Sequence, residues 1–155
     1  MVRKTLKLVA IVIVIVFGAM QFVRPSFSDP AVVEAETIFA NPDLPADVRQ
    51  VLVRSCADCH SNETAYPWYS NITPFNWFLA SHIEEGRHEL NWSKWNTYTN
   101  DQKRHKLEEV CEQVEQGSMP LPSYLWIHRD SALSDSERTL LCSWAKFESG
   151  RIATP

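Results

Sequence analysis

Residues 56–60 read Cys-Ala-Asp-Cys-His. This C-x-x-C-H spacing constrains the chain more than any other feature. Two thiols three positions apart at a helix end lie on one side and reach the two vinyl groups of one porphyrin. The adjacent imidazole then points at the iron. A chain with this motif is expected to fold around one covalent haem c, with thioethers at Cys56 and Cys59 and His60 as proximal iron ligand. Three other chemistries use the same cysteines. A thioredoxin-like redox pair needs a βαβ setting, and no strand pattern occurs in the sequence. A zinc site needs further ligands at similar spacing, whereas Cys111 and Cys142 fall in separate apolar helical stretches. A plain Cys56–Cys59 disulfide leaves His60 without a role.

The second axial ligand decides between electron transfer and an open, reactive iron. The candidates are Met119, His82, His88, His105 and His128. Met119 stands in Gly117-Ser118-Met119-Pro120, a proline-stiffened loop just past a helix, and is the expected distal ligand. His82 adjoins Ile83, His128 follows Trp126-Ile127, and His88 and His105 sit among charged residues. The carbonyl of Pro67 or of Pro74 is a candidate to orient the imidazole of His60. Tyr66, Trp68, Tyr69, Trp77, Trp92 and Trp95 are dense for so short a stretch and suit either the wall of a haem crevice or core filling, with Trp68, Tyr69 and Trp77 the candidates for the crevice. Cys111 and Cys142 are expected to form a disulfide in an oxidising compartment, closing a loop of about 30 residues and stabilising by ~3 kcal/mol.

The periodicity predicts an all-α fold. A weak turn or two falls in 31–40, and helices are predicted from Pro45 to near Cys59 and from Thr73 to about Leu90. The latter has Trp77, Phe78, Ala80, Ser81 and Ile83 on its inner face. Thr99 with Gln102 and Ser134 with Glu137 match capping boxes. They open helices to Gln116, stopped by Gly117, and through Phe147, ended by Gly150. Residues 61–72 and 118–130 read as loops. Long loops are uncommon in a small self-sufficient domain, so a cofactor is expected to fill part of the core.

Leu8 to Met20 is almost unbroken apolar sequence behind Arg3, Lys4 and Lys7, and Phe22 and Val23 extend it to Arg24. The 16 residues between Lys7 and Arg24 are just long enough to be read as a membrane-spanning helix. A cleaved signal peptide is the competing reading. The expected organisation is an anchor or signal over 1–24, a tether over 25–30 and a haem-binding domain over 31–150. Residues 25–155 carry 11 basic and 19 acidic side chains. That balance excludes nucleic acid, whose affinity comes mostly from phosphate neutralisation.

Several stretches carry a resemblance to a family: Cys56 to Asn62, Tyr66-Pro67-Trp68-Tyr69, Trp77 to Arg87 with Glu85-Gly86-Arg87, Gly117 to Pro120 with Tyr124, and Leu133 to Trp144. Over roughly residues 30–148 the chain resembles the bacterial haem-binding domain proteins, short membrane-anchored cytochromes c with one haem. The resemblance implies a cytochrome c-like helical domain, covalent haem at Cys56 and Cys59, and His60 and Met119 as iron ligands. The resulting expectation is a single-electron carrier, not an enzyme. It is anchored in the bacterial inner membrane by one N-terminal transmembrane helix, with its domain in the periplasm. A haem enzyme or gas sensor with an open distal side, and a haem-stabilised structural module, are the alternatives.

Overall fold

The computed structural model describes residues 2–153. Among these the regular structure is entirely helical: α1 (Val2–Met20), α2 (Ala46–Ser55), α3 (Ala57–His60), α4 (Phe75–Glu89), α5 (Asn100–Glu115), α6 (Pro122–Leu125) and α7 (Asp135–Ala153). Single 3-10 turns interrupt the connections at Glu34–Glu36, Ile38–Ala40, Trp68–Asn71, Trp92–Thr97 and Arg129–Ser131.

The most extensive helix pairing is α5 on α7. Leu107, Cys111 and Val114 of α5 face Leu141, Cys142, Trp144 and Ala145 of α7 in one core, and Cys111 and Cys142 are joined as a disulfide. Into this core α2 inserts Val48, Val51 and Leu52, spaced along one helical stripe. Trp92 and Trp95 fill the remaining side, their rings 5.4 Å apart.

Both capping boxes form. The Thr99 side chain accepts from the Gln102 amide while Gln102 Oε1 accepts from the Thr99 amide. Ser134 and Glu137 make the same exchange. Gly117, at φ +70°, stops α5 in the left-handed region that suits glycine. Gly150, by contrast, does not end α7, which continues to Ala153. One helical glycine costs only about 1 kcal/mol, and the flanking residues are helix formers.

The inner face of α4 also differs from the expected one. Its buried residues are Asn76, Leu79, Ile83 and Gly86, while Trp77 and Phe78 are exposed. The stripe contains an asparagine and a glycine, so hydrophobicity points to the neighbouring aromatics. The buried Asn76 amide donates to Thr73 Oγ1 at 3.1 Å, while its Oδ1 has no partner.

The N-terminal transmembrane helix and the single-pass inner-membrane placement that rests on it are overturned. Among the described residues no helix is long and apolar enough to cross a membrane. The reason is where α1 stops. Its first turns carry Arg3, Lys4 and Lys7, and it ends at Met20, four residues short of Arg24. The helical part of the apolar run, Leu8 to Met20, is about 20 Å long at 1.5 Å per residue, against a hydrocarbon core of about 30 Å. The chain then turns at Gln21, whose side-chain amide clasps the backbone of Thr73 in both directions.

Residues 25–30, expected as a tether, lie against the domain. Phe27 packs on Tyr66, and both Ser28 and Asp29 are bonded by Arg87.

Candidate functional site

The Cys-x-x-Cys-His stretch sits where α2 breaks. Cys56 leaves helical geometry at φ −128°, and α3 carries Ala57 to His60 as one short turn. Cys56 and Cys59 are both half-buried free thiols. Burial pushes Cys56 up to about 12 and, with Asp58 adding to it, Cys59 up to about 11. Reactive C-x-x-C redox pairs have lowered thiol pKa values, the opposite direction.

His60 is held by α4. Its Nδ1 lies 2.9 Å from the Gly86 carbonyl oxygen and 3.0 Å from that of Leu90. Both neighbours only accept, so Nδ1 carries the proton and Nε2 keeps its lone pair. This is the arrangement in which a protein orients a metal-binding imidazole. Burial lowers the pKa of His60 and favours the neutral ring a metal requires. Neither Pro67 nor Pro74 supplies the carbonyl. Gly86 is required by the close approach of α4 to α3: a Cβ there would lie 2.8 Å from the Cys59 carbonyl oxygen.

His60, Cys56 and Met119 line one cavity of about 290 Å³, walled by Leu90, Trp92, Val110, Val114, Leu133 and Leu141. Met119 comes from the loop after α5, where its amide donates to the Gln113 carbonyl at 3.2 Å. A second cavity of about 450 Å³ contains Cys59, Tyr69, Leu79, His82, Leu121 and Tyr124. A group bonded to both cysteines therefore touches both cavities.

Trp92, almost fully buried, is the tryptophan on the wall of the first cavity, and its Nε1–H has no hydrogen-bond partner. Trp68 and Trp77 line neither cavity. Trp68 is exposed, and Trp77 donates its indole N–H to the Val23 carbonyl. Tyr69 lines the second cavity, with its hydroxyl 2.9 Å from His128 Nε2. His128 stacks on Tyr124 at 4.2 Å and lines neither cavity, and Tyr124 donates to Asp58 at 2.8 Å. His82 lines the second cavity and bonds the Phe78 carbonyl. His88 and His105 are exposed beside Glu89 and Glu109.

Sequence reasoning named Trp92 among the crevice aromatics without singling it out, and missed Gly86 and Leu90 as partners of His60. Both act through backbone carbonyls, which any residue supplies. The one sequence signal was the glycine in Glu85-Gly86-Arg87.

These residues fit a haem. His60, Met119 and Cys56 line one cavity whose wall is largely apolar with Glu89, Lys106 and Glu109 also on it, Cys59 lines the other, and Trp92 of the first wall keeps a buried, unpaired indole N–H. Fold and site together define a small helical module built to hold a tetrapyrrole. The chain belongs to the haem-binding domain family, whose model matches residues 15–147. No curated protein and no solved structure matches the chain.

Proposed function

We propose that this haem-binding protein carries single electrons on one covalently attached haem c, which Cys56 and Cys59 would hold through thioethers and His60 and Met119 through its iron. The observation that carries the reading is that His60, with Nδ1 occupied and Nε2 available, shares a cavity with Met119. The haem supplies the one-electron couple, and a thioether opposite an imidazole sets a higher potential than two imidazoles. The chain's own residues do the rest. Gly86 and Leu90 fix the tautomer and plane of His60, while Leu90, Val114 and Leu141 supply an apolar wall beside it. The Cys111–Cys142 disulfide holds α5, and with it the approach to Met119, against α7. Such a bond suits an oxidising compartment.

An electron carrier is favoured over a haem enzyme or sensor. A sensor needs an open iron, and a haem enzyme needs in addition an acid–base group beside it. His128 is occupied by Tyr69 and Tyr124, and Met119 shares the cavity of His60 with Glu89, Lys106 and Glu109, so the reading rests on Met119 closing the iron.

The test is attachment. Thioether-bound haem stays with the chain in a denaturing gel, and Cys56→Ala with Cys59→Ala is expected to abolish the haem stain. A stained double variant, or wild type that loses its haem, contradicts the reading.

A further inference from the structure

The Arg87 guanidinium gathers four acceptors from two distant parts of the chain. Nε donates to the Ser61 carbonyl at 2.7 Å, and Nη1 to the Ser28 carbonyl at 3.1 Å. Nη2 donates to Thr64 Oγ1 at 2.9 Å and to the Asp29 carboxylate. The Arg87 side chain is 15% exposed, so these partners replace most of its water. Asp29 is itself fixed by the Tyr66 hydroxyl at 2.7 Å.

Ser61 directly follows His60, and Gly86 directly precedes Arg87. Two adjacent residues of α4 thus grip the histidine at two points: the Gly86 carbonyl takes its ring N–H, and the Arg87 side chain takes the next carbonyl along the main chain. A planar guanidinium holds several acceptors in fixed directions, which a lysine ammonium does not. Ser28 and Asp29 supply two of its four acceptors on the solvent side, so without them the guanidinium would be held only by Ser61 and Thr64 and would be free to turn toward water.

We infer that Arg87 is a positioning residue for His60, and that Ser28–Asp29 is a strap completing its grip, so the segment after α1 belongs to the frame of the haem site. The inference rests on His60 being an iron ligand. It accounts for Gly86-Arg87 as a pair: glycine for the close approach, arginine for the clamp.

The experiment uses the haem-loaded full chain with Arg87→Ala, Arg87→Lys and Asp29→Ala. Haem stain in a denaturing gel is expected to be equal in all, because the thioethers are untouched. In the folded protein Arg87→Ala is expected to shift the reduction potential and speed cyanide entry to the iron roughly tenfold, the lower end for loss of a group that orients a metal ligand. Asp29→Ala should move both readouts the same way by less, and Arg87→Lys should restore only part. The Arg87→Ala, Asp29→Ala double variant should match Arg87→Ala alone, because both remove one network. Should Arg87→Ala not fold, Asp29→Ala carries the test. Stained variants with a lowered melting temperature but unchanged potential and cyanide entry overturn the inference. An unstained wild type overturns the haem attachment reading and this inference with it.

Discussion

The two sides of the first cavity are built differently. On the His60 side every grip is short and comes from α4 or from Leu90 at its C-terminal cap. The ring bonds Gly86 and Leu90, Arg87 holds the next carbonyl, and α3 is pressed so closely on α4 that only glycine fits at 86. On the other side Met119 hangs from the end of α5. Ser118 and Met119 amides share the Gln113 carbonyl, Arg138 of α7 donates to the Val114 carbonyl, and the disulfide fixes α5 one turn earlier. The imidazole is therefore set locally, whereas the thioether is set by how α5 lies on α7. Damage to the first side should disturb chain packing around the cysteines, and damage to the second should act through global stability.

Breaking the distal frame should have the largest effect on stability. Cys111→Ser with Cys142→Ser removes a cross-link between positions 31 apart and is expected to cost about 3 kcal/mol in the chain-entropy model. Thermal or denaturant unfolding measures it. An unchanged midpoint would mean that α5–α7 packing alone positions Met119.

Gly86→Ala tests the other side. Its Cβ would meet the Cys59 carbonyl oxygen at 2.8 Å, a backbone atom that cannot rotate away. Overpacking of this kind costs about 1–3 kcal/mol, and displacing α4 from α3 should also reduce haem incorporation. A variant as stable and as fully loaded as wild type would show that the close approach is dispensable.

How much of this was legible in the sequence follows the same division. The C-x-x-C-H, both capping boxes and the cysteine pairing rest on identity at short spacing, or on an even count of cysteines, and they can be read from residue names. The carbonyls holding His60 cannot, because a backbone oxygen carries no residue signature and its position depends on how α4 crosses α3. Trp92 was indistinguishable from Trp68 and Trp77, since burial was decided by tertiary packing. The inner stripe of α4 was misread because Asn76 and Gly86 occupy it. The end of α1 at Met20 lay inside a run whose composition continues apolar to Val23.

The smallest expected effect is an electrostatic one on the α2–α7 contact. Glu137 accepts from Arg54 at 2.8 Å and from the Ser134 cap, which holds its carboxyl down at about 2 against an ordinary 4.5. A depressed carboxyl stabilises the fold above its unfolded pKa, and that contribution is lost as pH falls through the folded value. Wild type should therefore lose stability between about pH 4.5 and 2, and Glu137→Gln should flatten that limb slightly, since partly exposed ion pairs contribute little. Identical acid limbs in the two proteins would remove the pair from the account.

The central claim is that His60 and Met119 face one iron, and the absorption spectrum of the oxidised, haem-loaded protein tests it most directly. Iron–thioether bonding gives a weak far-red charge-transfer band. The account predicts that wild type has this band. Met119→Ala should lose it, open the iron to cyanide and keep its covalent haem. A Met119→Ala spectrum and potential identical to wild type would make Met119 a packing residue and contradict the claim.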